Sequence, residues 1–404
     1  MLETIRDIYY GLVEEANFDT YRYLYDHFSV SERLTGLVGP RGVGKTTMLL
    51  QFIRHRVKDL KQALYMTADH IYFNKLTLFD FVREVHETEG VSLFFIDEVH
   101  KYSGWNQELK NIYDALPRVK VVFSGSSSLS LVKGSHDLSR RASIHYLPGL
   151  SFREYLVFRT GKPHDKLSFH RVMTKHEDVA AELSHIPRLK GHFRSYLRDG
   201  YYPFVFERSA RFQKKIGAVI EKTIFEDIAN FYRLRTENLH CFKKILYFLA
   251  TIPPGKVNVH NLAHNLGVDD RTALHYLTIL KDTGLVRLLP ADATGSALIR
   301  RPEKIYLDNP VLYSAICHAL DEIPNTGTVR ELFFFCALEN AGIHVHPARR
   351  GGDFRAKRFT FEIGGRNKGT SQVRGSGKSG FVVKDDILVG GRNTLPLYIF
   401  GFLY

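Results

Sequence analysis

The 404-residue chain has only three cysteines, Cys241, Cys317 and Cys336, odd in number and far apart. That scarcity excludes a disulfide framework and leaves no cysteine spacing that would hold a metal. It fits a reducing compartment, so the expected location is cytoplasmic, with each thiol acting as a small buried apolar residue. Long hydrophobic runs are also missing. None approaches the roughly 20 residues needed to cross a bilayer, and no membrane partner is expected. Met1 to Tyr10 carries charges and lacks the apolar core of a signal peptide, so no secretory leader is expected there. Negative charge is in short supply: 43 Asp and Glu face 56 Lys and Arg, a formal net charge of +13. Such a surplus favours contact with polyanions such as nucleic acid. It is unevenly placed. Between residues 349 and 384 lie ten Lys and Arg, among them Arg349, Arg350, Lys357, Arg358 and Arg366, opposed only by Asp353 and Glu362.

What remains is globular in composition, 44% hydrophobic and 25% charged, and long enough for two to four domains. Within it stands Gly39-Pro40-Arg41-Gly42-Val43-Gly44-Lys45-Thr46, a complete G-x-x-x-x-G-K-T. An apolar step (Leu34, Leu37, Val38) precedes it, and a helical run starting at Thr47 follows. This is the strand–loop–helix setting of a phosphate-binding loop. The glycines let successive backbone N–H groups turn inward, and the helix N-terminus adds partial positive charge at the same point. In that reading Gly39 to Thr47 bind the nucleotide, Lys45 reaches the β- and γ-phosphates, and the Thr46 hydroxyl ligates Mg²⁺.

A second motif, Leu93-Phe94-Phe95-Ile96-Asp97-Glu98, reads as a buried parallel strand ending in two carboxylates at the sheet rim. Asp97 would hold Mg²⁺ and Glu98 would orient or deprotonate the attacking water. A third apolar strand ends in Ser124-Gly125-Ser126-Ser127-Ser128, where Ser124 or Ser126 could sense the γ-phosphate; an ordinary serine-rich loop is the alternative. Arg140-Arg141 follows. Such a pair is either solvated surface or a source of the arginine that stabilises transition-state charge in phosphoryl transfer. Strands alternating with helices imply an α/β fold with a parallel sheet covered on both faces.

Beyond the core, residues 151 to 236 are expected to be helical, with an amphipathic run from Ile216 to Leu234 taken as core packing. Residues 237 to 308 read helix, helix, turn, helix, strand, the order of a winged helix-turn-helix. Leu262, Leu266, Val268, Leu274, Leu277 and Leu280 would form its core, and Arg271, His275, Thr278 and Lys281 the exposed face of its third helix. Asp269 and Asp270 at the start of that helix suit its dipole but would repel DNA phosphates, so DNA and a protein surface remain alternative partners. Residues 309 to 404 mix strands with glycine-rich turns, and Leu395 to Tyr404 reads as a final buried strand.

The combined pattern resembles the prokaryotic AAA-type ATPases in which a P-loop core (residues 1–150) is followed by a helical lid (151–236), a winged helix (237–308) and a C-terminal domain (309–404) of the restriction-endonuclease-like PD-(D/E)XK fold. The residues that carry the likeness are the phosphate loop, Phe95-Ile96-Asp97-Glu98, Ser124-Gly125-Ser126-Ser127, Leu150-Ser151-Phe152-Arg153-Glu154-Tyr155 and Lys304-Ile305-Tyr306-Leu307-Asp308-Asn309. The resemblance implies ATP rather than GTP, Mg²⁺ as cofactor, and Arg141 as the better finger of its pair, acting in its own chain or on a neighbour's site in an oligomer. It also implies a nuclease-like centre at Glu331, Asp353 and Glu362. There the sequence departs from the pattern: Glu362-Ile363-Gly364 has glycine where the motif has lysine, leaving Lys368, Arg366 or Gln372 to reach in from the following loop. The function these features imply is Mg²⁺-dependent ATP hydrolysis coupled to a conformational change in a DNA-linked role. A protein-binding switch and an ATP-regulated nuclease are the alternatives.

Overall fold

The computed structural model describes residues 2–127, 138, 140–207, 211–232, 234–290, 302–348, 351–369 and 371–404. They form two compact units.

The first unit holds Met1–Pro148 together with Glu221–Arg235 and Asp282–Gly284. It begins with helix α1 (Leu2–Glu15) and then alternates: β1 (Leu34–Val38), α2 (Lys45–Arg56), β2 (Ala63–Thr67), α3 (Leu78–Glu89), β3 (Leu93–Asp97), α4 (Trp105–Ala115), β4 (Lys120–Gly125) and β5 (Ser143–Tyr146). All strand pairs are parallel and the sheet order is β2-β3-β4-β1-β5. The apolar runs explain this. Val121, Val122 and Phe123 on β4 and Phe94, Phe95 and Ile96 on β3 are all buried, as strands covered by helices on both faces require. Because β1 lies beside β4 and two strands from β3, the carboxyl ends of these central strands open on one rim. That rim is where open α/β sheets place their ligands.

The second unit starts at Gly149. Its helices are α5 (Phe152–Thr160), α6 (Phe169–Ser184), α7 (Leu189–Asp199) and most of α8 (Phe212–Lys222). Ser151 caps α5 through a full capping box with Glu154. Past α8 the expected amphipathic helix is interrupted. Thr223–Ile228 is a π-helical turn, followed by the single turn α9 (Ala229–Tyr232). Residues 221 to 235, expected to belong to the lid, are instead part of the first unit. The π turn widens the helix locally and seats Thr223, Ile224, Asp227 and Ile228 inward together.

The second unit resumes with α10 (Thr236–Thr251), α11 (Val259–Leu266), α12 (Asp270–Asp282) and an antiparallel pair, β6 (Val286–Pro290) and β7 (Pro302–Leu307). Leu262, Leu277 and Leu280 are buried as expected, whereas Leu266, Val268 and Leu274 are only half-buried. Arg271, His275, Thr278 and Lys281 are exposed. Helices α13 (Pro310–Ala319) and α14 (Thr326–Asn340) then lead to a five-stranded sheet of β8 (Val345–Pro347), β9 (Phe354–Ala356), β10 (Phe359–Gly364), β11 (Gly380–Lys384) and β12 (Thr394–Pro396). Its order is β12-β11-β10-β9-β8, parallel from β10 to β12 and antiparallel from β10 to β8. The expected terminal strand is reduced to β12; Leu397–Phe402 coils into a buried 3₁₀ helix. Its unbroken apolar run satisfies either form, so hydropathy alone could not decide between them.

Candidate nucleotide site

The loop between β1 and α2 turns through Gly42 (φ 83°) and Gly44 (φ 91°), left-handed positions that a side chain would strain. The loop is anchored from outside by Arg22, a buried arginine whose Nη1 donates to the Val43 carbonyl and whose Nη2 donates to the Pro148 carbonyl at 2.7 Å. Lys45 is buried, and its Nζ donates to the carbonyls of Gly39 and Pro40, each at 3.0 Å. Burial pulls its pKa below the ordinary lysine value, while the nearby Glu98, Asp97 and Asp227 oppose that shift.

Thr46 Oγ1 donates to Asp97 Oδ2 at 2.6 Å, bringing the two predicted metal ligands together although 51 residues separate them. Asp97 is 1% exposed. Its Oδ2 also accepts from Tyr65 at 2.8 Å, and its Oδ1 accepts from Ser124 Oγ. Among the described residues no group of three or more His, Cys, Asp or Glu could hold a metal by itself. A hydroxyl and a carboxylate at this separation are the hard oxygen donors that suit Mg²⁺ when phosphate oxygens complete its shell.

Glu98 follows with φ 55°, a left-handed conformation uncommon for a residue with a side chain. Its N–H is held by Ser124 Oγ at 3.2 Å and Asp97 Oδ1 at 3.1 Å. Ser124 therefore fastens the acid pair from within. Ser126 is buried, and its N–H donates to His100 Nδ1 at 3.4 Å.

Two residues outside the predicted set complete the rim. His100 Nε2 lies 3.1 Å from Asp227 Oδ1 and 3.5 Å from Glu98 Oε2. Asp227 also accepts from one edge of the Arg41 guanidinium, with Nη2 at 2.5 Å and Nε at 3.3 Å, while Glu226 lies 3.0 Å from Nη2. Burial would raise the Asp227 carboxyl, but the hydrogen bonds from His100 and Arg41 outweigh it and hold the pKa below the usual carboxylate range. The signal for Asp227 was present in the sequence: a carboxylate shares the apolar stripe of Ile220, Ile224, Ile228 and Phe231.

Arg141 is not brought to this rim. It sits in the turn before β5, at the amino end of the sheet, 3.3 Å from Asp114 and over the Tyr113 ring. The phosphate loop leaves β1 at the carboxyl end. Since β1 and β5 are parallel, with Thr35 opposite Ser143, the length of a strand separates the two. A role for Arg141 in its own chain's site is thereby corrected.

In the second unit the remaining predicted residues do meet. Glu331 on α14 accepts from Tyr306 at 2.7 Å and pairs with Lys304 at 3.3 Å. Glu362 on β10 is 2% exposed and is bonded by Lys368 Nζ; the Gln372 amide also faces it and, with its nitrogen turned toward the carboxylate, lies 2.7 Å from Oε2. A Cβ on Gly364 would lie 2.5 Å from Lys368 Cγ: the lysine stem crosses the bare glycine to reach Glu362. Asp353 accepts from the Ile363 N–H at 2.8 Å, yet its pKa is pushed up to about 6 by burial and by Glu331 and Glu362. The folded state therefore binds this proton more tightly than the unfolded chain, and the charged form costs stability as pH rises through 6. Asp353→Asn is expected to stabilise the second unit at pH 7.5 by on the order of 2 kcal/mol. The gain should shrink as pH falls toward 4. Thermal melts of both proteins across that range would check it, and a gain independent of pH would contradict the assignment. Arg349 and Arg350 lie outside the described residues, as do the side chains of Arg374 and Lys378.

The parallel sheet, the loop after β1 and the acid pair at the end of β3 fit the arrangement of a P-loop nucleotide-binding domain. Residues 31–156 match the family model described as an AAA domain, and residues 190–322 match one described as a domain of unknown function. No curated protein matches the chain. Among solved structures, AMPPCP-bound DnaA from Aquifex aeolicus aligns at 15% identity over 69% of this chain and 88% of its own, with a TM-score of 0.27. PCH-2 from C. elegans aligns at 15% identity over 67% and 68%, with a TM-score of 0.25. Drosophila ORC bound to AT-rich DNA and Cdc6 aligns at 11% identity over 79% and 95%, also with 0.25. No helix among the described residues is long and apolar enough to cross a membrane.

Proposed function

We propose that this protein binds and hydrolyses ATP with Mg²⁺ and uses the cycle in a DNA-linked role. The observation that carries the nucleotide reading is the 2.6 Å contact between Thr46 and Asp97, with Lys45 and Glu98 on the same rim. Thr46 and Asp97 would hold Mg²⁺, which when bound offsets negative charge on the phosphate oxygens. Lys45 leaves the loop carbonyls for the phosphates, and Glu98 orients and deprotonates the attacking water. Ser124 keeps Asp97 and Glu98 in place. Arg141, remote from its own site, would serve a neighbouring subunit's site if the protein assembles.

The DNA-linked part rests on charge and exposure. Helices α10 to α12 with β6 and β7 are read as a winged helix whose α12 offers Arg271, His275, Thr278 and Lys281, and the C-terminal domain exposes Lys357, Arg358 and Arg366. The competing reading, a switch that binds protein alone, draws on Asp269, which caps α12 by accepting the Thr272 N–H, and on Asp270, which pairs with His260; both place negative charge at that end. The C-terminal domain is read as a restriction-endonuclease-like fold that serves binding, since Glu362 is already neutralised by Lys368. A nuclease would instead show Mg²⁺-dependent cleavage that Asp353→Ala abolishes and Lys45→Ala spares.

ATP turnover with Mg²⁺, with and without duplex and single-stranded DNA at two salt concentrations, tests the whole. Stimulation by DNA that fades steeply with salt is expected, because phosphate contacts release counterions. Turnover indifferent to DNA, with no salt-sensitive binding, would transfer the role to a protein partner.

A further inference from the structure

We propose that His100 and Asp227 form a buried dyad that positions Glu98 for hydrolysis, and that Arg41 ties this dyad to the phosphate loop. The inference rests on the ATPase reading above and adds two positioning residues to it.

Glu98 projects from a left-handed backbone position, and its side chain is 21% exposed. A carboxylate so placed needs a lateral support to aim it. The support available is the His100 ring, whose side chain is 3% exposed. Because Nδ1 accepts the Ser126 N–H, the ring proton resides on Nε2, between Asp227 at 3.1 Å and Glu98 at 3.5 Å. Asp227, 2% exposed, fixes the ring tautomer and its tilt, as a carboxylate behind a catalytic imidazole does. Its remaining capacity is taken by the fork of Arg41, the third residue of the phosphate loop. One unbroken series of polar contacts thus runs from the loop through Arg41, Asp227 and His100 to Glu98, and by the Ser126 N–H to the end of β4. Burying this much charge does not by itself gain stability, since apolar residues of the same volume serve a core at least as well. Its position at the nucleotide rim, on a π turn that faces a carboxylate inward, accounts for it better.

The test separates chemistry from binding. For Asp227→Asn, His100→Ala and His100→Gln, ATP affinity would be measured with a fluorescent analogue and kcat by phosphate release, with Tm as a folding control. Asp227→Asn should lower kcat by roughly 10- to 100-fold while affinity changes by less than about threefold, the signature of a lost transition-state arrangement. His100→Ala should do the same. His100→Gln, which can still donate to Asp227, should recover much of the loss. Paired with Asp227→Asn, His100→Ala should cost little more than either alone. A normal kcat in both Asp227→Asn and His100→Ala, or losses that track affinity or Tm, would overturn the dyad. Should Asp227→Asn fail to fold, the two His100 variants decide the matter by the same criteria. If the wild type hydrolyses ATP and Glu98→Gln is slow while these variants turn over normally, the dyad alone is wrong. If Glu98→Gln keeps the wild-type rate, the base assignment fails and the dyad falls with it.

Discussion

Glu98→Gln is expected to bind ATP as tightly as the wild type and to hydrolyse it about 10²- to 10⁴-fold more slowly. Glutamine keeps the side chain's size and its contact with His100 but cannot take a proton from water. The backbone contacts that place the residue, its N–H to Ser124 and Asp97, are untouched by the substitution. Binding depends on other groups, the loop amides and Lys45, so affinity and turnover should part company. Parallel measurements of analogue binding and phosphate release would show it. Equal turnover in the two proteins would remove Glu98 from the role of base.

Lys45→Ala has the opposite expected result: binding itself is weakened. The ammonium is buried at the mouth of the loop and bonded to two carbonyls, so it is already desolvated and close to where phosphate oxygens would lie. Burial lowers its pKa, and the adjacent carboxylates oppose that shift. Replacing it removes a charge-assisted contact of about 2–3 kcal/mol, roughly 100-fold in affinity. Titration with a fluorescent ATP analogue checks this. An unchanged affinity would mean that Lys45 stays on the loop carbonyls when nucleotide binds.

These two expectations were legible in the residue order because each depends on local chemistry. A glycine-rich turn between an apolar strand and a helix, and an acid pair ending a strand of four apolar residues, force their own conformations wherever they occur. The same holds for the exposed face of α12. The nuclease-like cluster was legible only as a set of candidates. Which of Lys368, Arg366 or Gln372 reaches Glu362 depends on the path of a loop, and Gly364 lets the Lys368 stem cross it.

Sequence alone determined the phosphate loop, the Asp97–Glu98 pair, the alternation that makes the first sheet parallel, and the basic character of the chain, since these follow from nearest-neighbour sterics, hydrophobic period and charge count. Tertiary structure decided the rest. It placed Arg141 at the far end of the sheet, because strand direction is a property of the assembled sheet. It also moved residues 221 to 235 into the first unit, where a π turn faces Asp227 toward Arg41 and His100. Those partners lie 186 and 127 residues away along the chain, a distance over which only packing selects which groups meet.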